Sequence, residues 1–462
     1  MTKKCSSHAL RICVFSLLLA PFVFPSLSHG QGTLKYTSQV VGKDSKSVLA
    51  PFTRAKFENG LTAIVKELHS APIVTVDVWA RVGSVNENDE INGISHFFEH
   101  MFFKGTEKRG VGEMDRIVKS LGGRSNAGTS VEYTHYYITV PAQHMNIAVD
   151  LLSDALANSK FAPEEIEKER KVVKEEINRK EDDPNGKLFT LFQEALLPGT
   201  PWARPVLGTN ESLDRIDREA FLKYVDARYG AENLVVVIAG DVSTGKALGE
   251  IGRGFSSFRH AKETGYPDIG WSPLTRRVER VIEKDVNRGY LMLGFQTKGR
   301  SLMKDFYPLE VAAAILGEGK SSRLYQNLRE KKKIVSNISV WSWDLDKAGA
   351  LGLFAELDPA LKDSVEAAIK AEMNLLAEKG ITEEELQRAK MMLKSKFAFE
   401  SETGAGVAGK LGRAETLQGA EEALRYVDGI GGVTSSDVMR VARDYLKGKP
   451  YAVCYILPKT KG

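Results

Sequence analysis

Hydrophobic and polar positions along this chain switch between two periods. "FENGLTAIVKEL" (Phe57 to Leu68) reads as a β-hairpin turning on Asn59-Gly60, and "APIVTVDVWARVGS" (Ala71 to Ser84) alternates like a strand with one buried face. Helical and strand patterns continue to the short apolar run "NLVVVIAGDV", which ends at Val242. "GFSSFRHAKETGYPDIGWSPL" then lacks any period and is rich in Gly, Ser and Pro, which places a linker at about residues 255–275.

The pattern repeats on the far side of that linker. "FAPEEIEKERKVVKEEI" (Phe161 to Ile177) resembles "GITEEELQRAKMMLKSKF" (Gly380 to Phe397): a cap, a cluster of acids, then a long helix. "DREAFLKYVDARYGAENLVVVIAG" and "SSDVMRVARDYLKGKPYAVCYILP" each give a helix, a tyrosine near its end and a β run. The halves stand about 220 residues apart in this register. An α+β fold follows: two homologous halves, residues 31–254 and 276–462, each an antiparallel (mixed) β-sheet flanked by helices.

Residues 1–30 read as a signal peptide. Lys3, Lys4 and Arg11 form a basic start, "ICVFSLLLAPFVF" is a short apolar core, and "SLSHG" supplies small residues for a cut near Gly30. The run is too short and too Pro-interrupted to span a bilayer well. The expectation is a periplasmic or secreted mature chain without a membrane span. Of the three cysteines only Cys454 would survive, so no intrachain disulfide is expected. Removing the three basic residues from 64 leaves 61 against 60 acidic ones, so there is no basic excess to attract nucleic acid.

Candidate chemistry concentrates in "GISHFFEHMFFKGT" (Gly93 to Thr106). On a helix, His96, Glu99 and His100 share a face, while Phe97, Phe98, Met101, Phe102 and Phe103 fill the others. Gly105 offers an end to that helix. Two imidazoles one turn apart can hold one Zn²⁺ through nitrogen, each at about 2.0–2.1 Å. Glu99 lies poorly for the same ion and is better placed to take a proton from a water on it. A third ligand must come from another element. The helix beginning at Pro163 supplies candidates: Glu169 and Glu176 are seven apart, on a face that includes Val172 and Val173. From Arg276 onward there is no histidine, and the repeat register puts Ala389 and Lys396 where the first half has Glu169 and Glu176. Whatever the two histidines do is done once per chain.

"HFFEH" is the inverted zinc motif H-x-x-E-H. With "FENGLTAIV", "LGGRSNAGTSVEYTHYYITVP", "ERKVVKEEI", "NLVVVIAGDV" and "SSRLYQNLREKKKIV", it makes nearly the whole mature chain resemble the insulinase–pitrilysin superfamily, which includes mitochondrial processing peptidases. The resemblance implies that Glu176 is the third zinc ligand and that Glu169 supports the site from behind a ligand imidazole. It also implies that Asn126 and Ala127 lie on an edge strand that pairs with substrate backbone. In many relatives the second half supplies an arginine and, seven residues on, a tyrosine. Here the arginine is Arg329, but Ser336 stands where the tyrosine would be. Some bacterial members work as pairs, one subunit with the zinc motif and one with the arginine–tyrosine pair. This chain resembles the zinc-bearing member.

These readings lead to a clamshell-shaped zinc endopeptidase of short or unfolded peptides. It would carry Zn²⁺ on His96, His100 and Glu176, use Glu99 as base, and be assisted by a homologous zinc-less partner subunit or arranged as a homodimer. The alternative is a structural, assembly or peptide-binding member of the same superfamily.

Overall fold

The computed structural model describes residues 34–300 and 303–459. The signal-like segment lies outside them.

Among the described residues twelve strands form two sheets. The first contains β1 (Tyr36–Val41), β2 (Phe52–Phe57), β3 (Thr62–Glu67), β4 (Ile73–Ala80), β5 (Arg124–Thr129), β6 (Thr134–Pro141) and β7 (Leu234–Gly240), in the order β1-β2-β3-β7-β4-β6-β5. The second contains β8 (Val278–Lys284), β9 (Gly289–Lys298), β10 (Val335–Asp344), β11 (Ala348–Leu357) and β12 (Ala452–Pro458), in the order β10-β11-β9-β12-β8. Each sheet has one parallel pair, β3 with β7 and β12 with β8, and is otherwise antiparallel. Read from its edge, β5-β6-β4-β7-β3 matches β10-β11-β9-β12-β8 strand for strand. The duplication seen in the sequence is therefore a duplication of topology. The β2–β3 hairpin turns where Asn59-Gly60 predicts; Gly60 sits at φ +93°, and the Asn59 amide donates to the carbonyls of Phe255 and Phe258.

In the first half, helices α1 (Ile94–Met101), α2 (Glu113–Ser120), α3 (Met145–Asn158), α4 (Pro163–Asp182) and α5 (Pro184–Leu196) follow β4 in two groups, with β5 and β6 between α2 and α3. Val76 and Val78 of β4 and Tyr136 and Ile138 of β6 bury one face of the sheet in a core with Phe97, Phe98, Phe102, Leu152 and Val173. The other face is covered from the second half. Val407 and Leu411, on the helix Gly404–Leu417, pack against Trp79, Val235 and Val237. Gly412 permits this approach, since a Cβ there would lie 2.2 Å from the Trp79 indole nitrogen. The second half receives α5 in return. Phe192 enters a core with Met292, Ala350, Cys454 and Ile456. Each half thus lends a helix to the other's sheet.

In the second half, Arg277 and the hydroxyls of Tyr451 and Tyr455 all donate to Glu366. Burial alone would raise this carboxyl, but the three partners outweigh it and hold it at about 2. A carboxyl depressed in the folded state stabilises the protein above its unfolded pKa of about 4.5, and that stabilisation disappears as pH falls towards 2. Glu366→Gln should therefore lower the melting temperature at pH 6, with the gap to the parent narrowing steadily from pH 5 to pH 2. Scanning calorimetry at those pH values checks this; a gap independent of pH would show that the cluster's charge does not matter.

Candidate metal centre

The loop before α1 supplies what the helix itself lacks. Gly93 precedes the first turn at φ +95°, and a Cβ there would stand 2.6 Å from the Leu207 carbonyl oxygen. α1 has no acid in its first turn. Instead the buried carboxylate of Glu87 accepts from the Gly93 amide at 2.7 Å, the Ser95 amide at 2.9 Å and the Asn92 side chain at 2.9 Å. A carboxylate at a helix N-terminus meets otherwise unpaired N–H groups and complements the dipole. The helix ends at Met101, short of Gly105, which sits in the following turn at φ +94°. Phe97, Phe98, Met101 and Phe102 are buried, which fixes the rotation of α1 and turns its polar stripe towards α4.

α4 begins with Pro163 and two acids in its first turn, all favourable at a helix start. Its buried stripe is Ile166, Glu169, Arg170, Val173 and Ile177. Val173 lies inside this stripe as expected, whereas Val172 does not: it faces outwards, 43% exposed. The reason is where the stripe is centred: at 100° per residue it runs from Glu169 round to Arg170 through Val173, Ile166 and Ile177, and Val172 falls on the opposite side of Glu169, roughly 115° from that centre. Arg170 ties α4 to its surroundings through the carbonyls of Leu213 and Ile216, with its guanidinium over the Phe97 ring.

Together α1 and α4 bring His96, His100 and Glu176 into one group, with a ligand atom from each within 4.8 Å of the others. The Nε2 atoms of His96 and His100 stand 3.7 and 3.5 Å from the same Glu176 oxygen. Tetrahedral ligands about 2.0–2.1 Å from a zinc would be roughly 3.3–3.5 Å apart, so the donors are spaced around a cation rather than bonded tightly to each other. His96 is buried, and its Nδ1 has no hydrogen-bond partner. Burial and the neighbouring His100 pull its pKa down to about 4, which leaves the neutral imidazole a metal requires. Burial also acts against a charged His100, but Glu176 and Glu169 outweigh it and hold that ring above its ordinary value. The donor set and its spacing fit zinc.

Behind the trio runs a chain of charge. Glu169 meets His100 Nδ1 at 3.2 Å through one oxygen and Lys104 Nζ at 2.6 Å through the other. Lys104 escaped the reading of the sequence, because a lysine just past a helix end resembles any solvated charge. Lys104→Met would leave Glu169 buried without its cation, and the expected cost is about ten- to a hundredfold in zinc affinity. Competition against a fluorescent zinc chelator measures this; unchanged affinity would make Lys104 a bystander.

Glu99 is next to the trio on α1 and accepts a 2.6 Å hydrogen bond from the Thr129 hydroxyl. Burial raises its pKa, partly offset by Thr129. Thr129 ends β5, the edge strand that carries Asn126 and Ala127 and pairs only with β6. That edge strand and the candidate base are thereby joined directly. The contacts of Arg329 are local. It lies in the helical segment Tyr325–Lys331, its guanidinium 4.6 Å from the centre of the Tyr325 ring and 3.8 Å from Glu330. Ser336 lies on β10, hydrogen-bonded to Arg288 and Glu356. At the repeat-related positions, Ala389 is in the core and Lys396 pairs with Glu318. Among the described residues no other group of metal-ligating side chains exists, and no helix is long and apolar enough to cross a membrane.

Comparison with known proteins gives a consistent result. Residues 62–210 match the family described as Insulinase (Peptidase family M16), and residues 215–393 match the Peptidase M16 inactive domain. An uncharacterized zinc protease of Rickettsia felis is 31% identical over 365 residues, covering 78% of this chain and 87% of that one. The uncharacterized zinc protease YmxG of Bacillus subtilis is 31% identical over 406 residues, covering 87% and 97%. The crystal structure of a protease from Helicobacter pylori superposes with a TM-score of 0.84 at 27% identity, over 88% of this chain and 99% of that one.

Proposed function

Because the chain belongs to the insulinase peptidases, family M16, and is a zinc metalloprotease of that family, we infer that it hydrolyses short or unfolded peptides at the centre formed by His96, His100 and Glu176. The observation that carries this reading is the convergence of those three ligands beside Glu99 and the open edge of β5.

Zinc held by the trio would supply Lewis acidity, polarising the scissile carbonyl and acidifying a water. Glu99 accepts the proton of the attacking water and returns it to the leaving amine nitrogen. Thr129 holds one Glu99 oxygen, so the other is free to face that water. Glu169 orients His100 from behind. The unpaired backbone of β5 at Asn126 and Ala127 takes an extended peptide as an added strand, which demands little of its side chains but requires it to be unfolded. Two domains closing as a clamshell would exclude folded proteins.

The basic start and apolar run in residues 1–30 support export to the periplasm or the exterior. Ser336 in place of the relatives' tyrosine supports a zinc-less homologous partner, which would complete substrate and oxyanion binding. Purified alone with one equivalent of zinc, the chain should cleave an unstructured peptide slowly and lose that activity to a chelator. Adding the partner should accelerate it. Full turnover by the chain alone would remove the partner from this reading; no turnover in either state would remove the reading itself.

A further inference from the structure

The turn between β5 and β6 connects the two halves at one buried point. Glu132 and Arg300 are 3% and 5% exposed, and Arg300 Nη2 donates to Glu132 at 2.6 Å. The other Glu132 oxygen accepts from the Asp346 amide at 2.7 Å. Arg300 is locked in turn: its amide donates to the Leu345 carbonyl and its Nη1 to the Asp344 carbonyl, each at 2.9 Å. These residues lie on the β10–β11 hairpin and just beyond β9, all in the half that has no histidine. On the near side, the Val85 amide donates to the Val131 carbonyl at 2.9 Å, and Gly83 has no room for a Cβ, which would be 2.5 Å from that oxygen. The four residues after Thr129 are therefore gripped from both halves.

Thr129 needs such a grip. It is the last residue of an edge strand, paired on one side only, where a strand end frays most easily. Yet its hydroxyl must stay within hydrogen-bond reach of Glu99. A buried ion pair contributes little to stability compared with apolar residues of the same volume. What this one supplies is a fixed position. We propose that Glu132 and Arg300 are positioning residues: the second half, through this pair, sets the place of Thr129 and so of the Glu99 carboxylate. The proposal rests on the reading of Glu99 as general base.

The test is a pair of variants and their combination in the full chain with zinc, plus the cleavage partner if one is required for turnover. Glu132→Gln with Arg300→Met removes both charges without leaving either one unpaired. It should bind one zinc and melt near the parent temperature, yet lose about ten- to a hundredfold in kcat with KM nearly unchanged. Thr129→Val should show a loss of the same kind. The triple variant should be no slower than Thr129→Val alone, because the pair acts through that hydroxyl. Parent-like kcat in the double variant would overturn the proposal, and so would a triple variant whose loss is the product of the two. If the double variant fails to accumulate, Arg300→Lys decides: it keeps the charge but not both donors, and a fall in kcat at constant KM is expected, whereas unchanged kcat overturns the idea. Full activity in Glu99→Gln would instead fail the base assignment, a separate result.

Discussion

Glu99→Gln will hold one zinc and fold like the parent, but its peptide hydrolysis will fall by about 10³-fold or more. The amide has the carboxylate's shape and can still accept from Thr129 Oγ1, so the packing of α1 is undisturbed. His96, His100 and Glu176 remain in place, which preserves the metal. What disappears is the basic oxygen that takes a proton from water and gives it to the leaving nitrogen. The expected pattern is a collapse of kcat with little change in KM, since peptide pairing along β5 does not involve Glu99. Zinc content by atomic absorption and turnover of a fluorogenic peptide measure both halves of the prediction. A binding or assembly protein would lose nothing by this change, so retained function with no detectable parental turnover would favour that alternative.

Glu176→Gln should do the opposite, sparing the fold and losing the metal. Glu176 is the only anionic member of the trio, half-exposed, with its oxygen 3.5–3.7 Å from both Nε2 atoms. Residues that merely orient a ligand cost about ten- to a hundredfold in affinity when changed, so losing a ligand should exceed a hundredfold. At a zinc concentration about 1,000 times the dissociation constant, binding stabilises the native state by about 4 kcal/mol. The parent should accordingly melt at least several degrees higher with zinc than after chelation. In Glu176→Gln a loss of a hundredfold would cut that stabilisation to about 1.4 kcal/mol, and a larger loss would cut it further, so the zinc-dependent difference should shrink to about a third or less while the chelated forms of the two proteins melt together. A zinc-dependent shift that survives intact would mean that Glu176 is not a ligand.

The two carboxylates were legible in the sequence in unequal degrees. Glu99 is one turn from His96 on a single helix, and a 3.6-residue period is enough to place it beside both histidines. Glu176 is 76 residues beyond His100. Periodicity puts it on one face of α4, but nothing in that period says which helix the face will meet; the resemblance to a known family supplied that step. Val172 shows the limit of the same reasoning, since an apolar residue beside a buried stripe is not necessarily within it.

Local interactions determined the elements, and these are written in the chain: the hairpin at Asn59-Gly60, the buried run of β7, the shared face of His96, Glu99 and His100, and the repeat that makes one half free of histidine. Their short-range periods of 2 and 3.6 residues carry that information directly. Only the tertiary structure decided which distant groups would meet. Glu87 caps α1 from a loop, Thr129 reaches Glu99 across 30 residues, and Arg300 reaches Glu132 across 168. α5 and the helix Gly404–Leu417 each pack on the sheet of the opposite half. An amphipathic face specifies that it must be buried, not against what; the choice is made when the whole chain closes and every buried polar group must find its partner.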